Sequence, residues 1–523
     1  MMQKKKQIVN IINFIRGCEP REEVDLEKPV REQMALLRQY SLPGTFLLQY
    51  DALCQPAYAQ MLKEGCADNV EFGVWLEIVE GQAEAAGIPW RGRFPWDWHA
   101  NVGFSVGYTL RERERLIDVL FEKFHEVFGY YPRSMGSWAL DAHTVAYAER
   151  KYGLDALCDC KDQWGTDGYT MWGGYYNQAY YPSRNNVFSP AQSDQEQIRV
   201  PMFRMLGSDP IYQYDFGLDG DVNPSGCQGV VTLEPVYAGH TGGGGVDKWV
   251  DWYFKENFSG NCLTFAYTQA GQENSFGWER MAHGLQYQFA EIARLASEGK
   301  LDVETLGESG RWFKQNFVLT PASTVVAESD WMEKGHQTVW YNCRRYRINL
   351  LRTGNRLRIR DLYLFDEYYR ERYFDAPCKE SFLQFDTLPV IDGNRFGGKG
   401  VLAGLVPMFN GSELTVIDMR YEERDAETAV VAFDTAECGR LTFTLTPAGI
   451  CCTVERGGEG LVFVNRVWQE NPTLPACSVS EKRLTLVHNH FEYQLELSCG
   501  RFERAADGLV TVVPAYGCVT LRL

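Results

Sequence analysis

The chain has 523 residues and a formal net charge of −17, from 52 Lys and Arg against 69 Asp and Glu. It is too long for one ordinary domain; with 45% hydrophobic and 23% charged residues it reads as an ordinary soluble globular chain whose core needs no staples. The acidic balance argues against a nucleic-acid or anionic-membrane partner and suits a neutral one, and no run approaches the ~20 apolar residues of a membrane span.

The first ~15 residues have a basic start and a short apolar stretch, as signal peptides do. Asn10 and Asn13 interrupt that stretch and no small-residue cleavage site follows, so residues 8–15 are read as a first strand. A helix over 26–40 follows, then strand two at 45–49, a helix over 56–64 and strand three at 71–78. A Trp/Pro-rich excursion, IPWRGRFPWDWH, precedes an amphipathic helix over 110–127. Strand four is read at 134–140, a helix at 141–152 ended by Gly153, strand five at 156–160 and strand six at 198–206. A long Gly-rich loop covers 216–245, strand seven is placed at 261–267, and a last helix at 278–298. Alternating strands and helices predict a mostly parallel sheet with helices outside: an α/β barrel, distorted or incomplete, of about seven strands, over residues 1–315. Residues 316–523 are rich in alternating, β-branched runs separated by short turns, the pattern of an antiparallel β-sandwich.

The 15 cysteines are odd in number and spread along the chain, and the tight pairs Cys158/Cys160 and Cys451/Cys452 lack zinc-site spacing. Free thiols, hence a cytoplasmic protein, are the expectation. Neither a metal nor any other cofactor is expected, and association of identical copies is left open.

Several carboxylates stand at the ends of the apolar runs: Glu19, Asp51, Glu77, Asp141 and Glu273. The C-terminal ends of barrel strands form the active face, and a carboxylate there is costly to place unless partnered. Alternation puts Gly73, Trp75 and Glu77 on one face, a ring and an acid suited to a sugar. Asp141 falls between a strand and a helix, where it is catalytic or a helix cap. Glu273 lies in the dense polar segment Gln269–Gln272–Glu273–Asn274; an ordinary polar turn is the plain alternative. Trp138 and His143 flank Asp141, with His143 read as a helix-surface or core residue. Trp90, Trp96, Trp98 and His99 form either stacking subsites or a local mini-core. Trp164 closes the segment Cys158–Trp164, where Lys161 is expected to pair with Asp159 or Asp162. The four glycines at 242–245 lack the Lys-Ser/Thr of a phosphate loop; with His240 at their edge they suit a lid. The 14 Trp and 28 Tyr favour sugar stacking, although large cores use aromatics too.

The segments NIINFIRGCEPR, LPGTFLLQYDAL, VEFGVWLEI and FGYYPRSMGSWALDAHTVAYAERKYGLDAL resemble the glycoside hydrolase/deacetylase β/α-barrel superfamily, which includes family-57 amylases, family-38 mannosidases and NodB-like deacetylases. The resemblance implies a carbohydrate-active barrel followed by a sandwich. The superfamily's metal motifs are missing: strand one ends in Cys18–Glu19–Pro20 where the deacetylases carry two Asp, and no His-x3-His follows strand three. The family-57 pattern, a nucleophile after strand four and an acid after strand seven, falls on Asp141 and Glu273. The expectation is therefore a glycoside hydrolase or transglycosidase, exo-acting, using Asp141 as nucleophile or base and Glu273 as acid. Glu77, Glu19, Trp75, Trp138, Trp96, His99, Gln272, Asp51 and Trp164 would bind the carbohydrate. The alternatives are a non-catalytic carbohydrate-binding protein and a metal-dependent carbohydrate deacetylase.

Overall fold

In the computed structural model, residues 5–217, 227–398, 400–505 and 508–523 are described; part of the long Gly-rich loop expected at 216–245 lies outside them. Seven parallel strands form the first sheet: β1 (Lys6–Ile15), β2 (Gly44–Leu48), β3 (Val70–Trp75), β4 (Ser134–Gly136), β5 (Ala156–Asp159), β6 (Met202–Arg204) and β7 (Phe265–Ala270). Their order is β7-β1-β2-β3-β4-β5-β6. A two-residue strand, Ala179–Tyr180, runs antiparallel beside β6, and Asp302–Glu304 pairs with β1. The result is a nearly closed barrel. β6 and β7 share no ladder, but the rings of Phe203 and Tyr267 meet across the seam with centroids 4.9 Å apart.

β1 is the hinge of this arrangement. Lys6 to Ile11 pair with β7, and Ile12 to Ile15 pair with β2. Buried on both faces, it reads as a continuous apolar run, as parallel strands do. Asn10 is tolerated because its amide donates to Glu304 O and Ser309 Oγ at 2.9 and 2.8 Å.

The helices outside are α1 (Glu27–Tyr40), α2 (Pro56–Gly65), α3 (Leu110–Phe128), α4 (Ala142–Tyr152), α5 (Asp247–Asn257), α6 (Trp278–Ser297) and α7 (Leu306–Asn316). α3 begins with a capping box in which Thr109 and Glu112 satisfy each other's backbone N–H, and ends at Gly129 with φ 82°. Its buried stripe of Leu116, Ile117, Leu120, Phe121 and Phe124 starts with a charged residue, Arg113.

Two expected strands end early. β3 stops at Trp75 and β4 at Gly136. A Cβ at Gly136 would lie 2.5 Å from Cys158 Sγ and 2.7 Å from Leu47 Cδ1, so β4 passes its neighbours very closely there and then leaves the sheet. β7 lies further along the chain than expected and ends at Ala270. Gly271 (φ 100°) follows, where a Cβ would sit 2.2 Å from Ile12 O. Close passage over β1 thus turns the chain so that Glu273 arrives beside the end of β1.

From Ser323 onward the chain is almost entirely β. Two large, mainly antiparallel sheets enclose a second core that includes Ile348, Leu350, Ile359, Phe433, Phe443, Phe463 and Leu495. One excursion returns to the barrel: Leu383–Asp386 pairs in parallel with Tyr169–Trp172, which pairs with Gln163–Thr166. It is anchored by Ala100 N–H donating to Ser381 O at 2.9 Å.

Candidate active site

Beyond the C-terminal strand ends lies a cleft of about 700 Å³. Trp96, Trp98, Trp138, Tyr169, Tyr237 and Phe382 supply its aromatic wall, and Arg16, Lys161, Glu234 and Glu273 its charged floor. Its walls come from the Trp-rich excursion, the hairpin at 163–172, the segment at 230–237 and the returning Ser381–Phe382.

Arg16, the first residue past β1, organises the floor. Its Nε and Nη2 donate to the two oxygens of Glu77 at 3.0 and 3.1 Å, and Nη1 donates to Glu273 Oε1 at 3.1 Å and Ser275 Oγ at 3.3 Å. Glu19 is 3.7 Å away. Its guanidinium lies 4.1 Å from the Trp96 ring centroid. Trp75 Nε1–H gives Glu77 a further bond at 2.8 Å. Glu77 is fully buried beneath the cleft, and burial raises its carboxyl despite the opposing pull of Arg16. Fork-to-carboxylate pairing fixes orientation as well as charge, so Glu77 and Arg16 act as the mount for Glu273. The other oxygen of Glu273, Oε2, is buried and has no hydrogen-bond partner among the described residues, although buried acceptors rarely go unmatched.

A second acid faces the same cleft. Glu234 accepts from Thr232 Oγ1 at 2.9 Å and from Gln272 Nε2 at 3.2 Å. Burial raises its carboxyl, opposed chiefly by the charge of Lys161. Gln272 joins the two acids through one side chain, since its Oε1 accepts from Glu273 N–H at 2.8 Å.

Of the residues expected from sequence, Glu273, Trp138, Trp96 and His99 line the cleft. Glu77, Trp75, Gln272 and Glu19 form the layer behind it; Glu19 is gripped by Arg21, whose hydrogen bonds outweigh burial and lower its carboxyl. Asp51 caps the turn after β2, accepting from Gly17 and Ala52 N–H at 3.1 and 2.8 Å. Trp164 packs edge-on against Trp172, 6.0 Å between centroids, away from the cleft lining. Trp98 joins the lining while Trp90 donates to Phe94 O, so the Trp-rich excursion is part wall and part local packing. His143 is half-buried on α4, 3.1 Å from Glu114.

Asp141 is not brought to the cleft. It caps α4, accepting from Thr144 N–H at 3.0 Å and from the hydroxyls of Ser105 and Thr144, and it pairs with Arg113 at 2.8 Å. Burial opposes ionisation, but Arg113 and these donors outweigh it and hold the carboxyl below its usual range. With both oxygens saturated, Asp141 is placed to join α3 to α4 rather than to meet a substrate. The expected pairing of Lys161 with a neighbouring aspartate is also replaced. Lys161 donates to Gln163 Oε1 at 2.9 Å, while Asp162 is held by Arg204 and Arg347.

Sequence reasoning missed Arg16, Glu234 and Lys161. Arg16 had the same signal as Glu19, a charge directly after an apolar run. Glu234 follows the run VVTL inside the segment read as a Gly-rich loop. Among the described residues no group of three or more His, Cys, Asp or Glu side chains is arranged to hold a metal ion; the space between Glu77 and Glu273 is filled by a guanidinium.

No protein-family model matches the sequence, and no curated protein matches it. Among solved structures, the chain is similar to a protein classed as a glycoside hydrolase/deacetylase from Parabacteroides distasonis, at 16% identity and TM-score 0.54, covering 74% of this chain and 91% of that one. A protein classed as a polysaccharide deacetylase from Pseudomonas aeruginosa PAO1 matches at 10% identity and TM-score 0.37, over 60% and 93% of the two chains. A family-57 branching enzyme from Thermococcus kodakaraensis matches at 10% identity and TM-score 0.28, over 60% and 72%. At such identities the likeness is one of fold alone: the chain shares its fold with the Parabacteroides distasonis protein over 74% of its length.

Proposed function

We propose that this chain is a carbohydrate-active hydrolase that cleaves a glycosidic bond, with Glu234 as general acid and Glu273 as base or nucleophile. The observation that carries the reading is Glu273: a carboxylate held from behind by Arg16, with a second oxygen that no described group satisfies, on the floor of an aromatic cleft. A buried acceptor without a partner beside a cleft suits a group that meets a bound ligand once the side chain or the ligand closes the gap.

The two acids sit in different surroundings. Glu273 contacts a guanidinium. Glu234 is buried among neutral donors, with its carboxyl raised, as a proton donor near neutral pH requires. In the cleavage step Glu234 gives its proton to the leaving glycosidic oxygen as the C–O bond breaks. Glu273 either attacks the anomeric carbon or removes a proton from the water that does so. Trp96, Trp98 and Trp138 would stack on sugar faces, and walls from four parts of the chain suit attack at a chain end. The fold likeness to carbohydrate-active proteins is consistent with this reading. Metal-dependent deacetylation fits the residues less well, because Arg16 stands where a cation would sit between Glu77 and Glu273.

The test is hydrolysis of a wide panel of α- and β-linked oligosaccharides and aryl glycosides by wild type, Glu234→Gln and Glu273→Gln. Each substitution is expected to lower kcat by roughly 10²–10⁴-fold while far-UV circular dichroism stays unchanged. Equal turnover in all three proteins rejects the assignment. Sugar binding without turnover in wild type points instead to a carbohydrate-binding protein.

A further inference from the structure

Four cationic side chains other than histidine line the cleft: Arg16, Arg21, Lys161 and Arg280. Three are matched by carboxylates within ion-pair distance. Arg16 has Glu77 and Glu273, Arg21 has Glu19, and Arg280 has Glu22. Among the described residues, Lys161 has no such partner. It is 1% exposed, and its hydrogen bond goes to a neutral amide oxygen, Gln163 Oε1.

The acids around it do not fill the gap. Asp162 is taken by Arg204 and Arg347. Asp159 accepts from Cys160 N–H, and burial pushes its carboxyl up to about 8. Glu234 feels the charge of Lys161 but is bonded to Thr232 and Gln272. An ammonium carries three donors, and among the described residues one acceptor, Gln163 Oε1, meets those of Lys161. A buried cation without an anion is costly, and a ligand that brings the anion recovers that cost.

Resting on the reading of this cleft as a carbohydrate site, we propose that Lys161 receives an anionic group of the substrate, a carboxylate or a sulfate on the sugar, and that the site acts on acidic carbohydrates. Lys161 is then a specificity residue, and its charge couples to the chemistry. It is the group that most favours the ionised form of Glu234. When the substrate anion neutralises it, Glu234 is driven further toward its protonated form, the form that donates to the leaving oxygen.

The experiment compares oligouronides of several linkages with their own methyl esters, and sulfated oligosaccharides with their desulfated forms. Binding is followed by calorimetry and turnover by product release, in wild type and Lys161→Met. The members of each pair share their sugar and linkage and differ in whether the acidic groups carry charge. Wild type is expected to favour the charged member by roughly 10- to 150-fold, the worth of a charge-assisted bond, and Lys161→Met to shrink the preference to about 3-fold or less. The pair that discriminates tells carboxylate from sulfate. Equal affinity for charged and neutral members in wild type overturns the proposal whether or not the variant folds, as does failure to bind any acidic sugar. Discrimination without turnover supports Lys161 as an anion receptor and sinks the hydrolase reading; turnover of neutral sugars alone does the reverse.

Discussion

Replacing Arg16 with methionine tests the organisation of the cleft floor most directly. Methionine keeps much of the aliphatic volume but removes three hydrogen bonds to carboxylates, two on Glu77 and one on Glu273. Both acids then stay buried without their cation. Breaking a buried pair from one side costs about 3–5 kcal/mol, because it strands a charge. The guanidinium over Trp96, 4.1 Å from the ring centroid, adds about 1 kcal/mol. At roughly 2 °C per kcal/mol for a domain of this size, the barrel transition should fall by about 8–12 °C. The loss should grow with pH. The carboxyl of Glu77 is raised by burial even with Arg16 present. A raised carboxyl stabilises the fold while it is protonated, and that stability is lost as pH rises through its folded value; removing Arg16 raises it further. Calorimetric scans at pH 5 and pH 8 should therefore show a larger gap between wild type and Arg16→Met at pH 8. Adding Glu77→Gln to Arg16→Met should narrow that gap by leaving one stranded charge fewer. A shift below 2 °C, equal at both pH values, would refute the idea that the guanidinium is what lets these acids share the floor.

Asp141→Asn is expected to act on stability rather than on chemistry. Losing the charge opposite Arg113 and weakening the α4 cap should cost about 2–5 kcal/mol, read as a lower melting temperature, whereas turnover measured below the transition persists; lost turnover with unchanged melting would return Asp141 to the chemistry. The alkaline limb of kcat/KM should lie above the ordinary carboxylate range, since burial raises Glu234, with activity falling as pH rises through that value. Lys161→Met should move this limb to higher pH, and a limb that does not move separates Glu234 from the titration.

Much of the barrel was legible because period and apolarity are local properties. The helix at α3 carries its own capping box and buried stripe, and β1 is continuously apolar because both its faces are covered. Glu273, Trp96, Trp138 and His99 reach the cleft, and Glu77 the layer behind it, because acids and rings beyond barrel strands gather at one end of the sheet. What the pattern did not carry is which partner each charge meets. Asp141 is a saturated cap because Arg113, on another helix, is buried against it, and because β4 leaves the sheet at Gly136, five residues earlier. Glu234 lay inside a segment whose glycines hid it, and of the two aspartates beside Lys161 in sequence, Asp162 is held by Arg204 and Arg347 and Asp159 accepts from Cys160 N–H.

The sequence by itself determined a parallel α/β barrel of about seven strands, a β-rich second half, and a concentration of carboxylates and tryptophans at the strand ends, since side-chain period and chain-break residues report on local structure. Only the tertiary structure decided that Arg16 meets Glu273 across 257 residues, that Asp141 is tied away from the cleft, and that Lys161 stands in it with no counter-ion among the described residues. Electrostatic environment depends on burial and on neighbours from distant segments, and both exist only once the chain has folded.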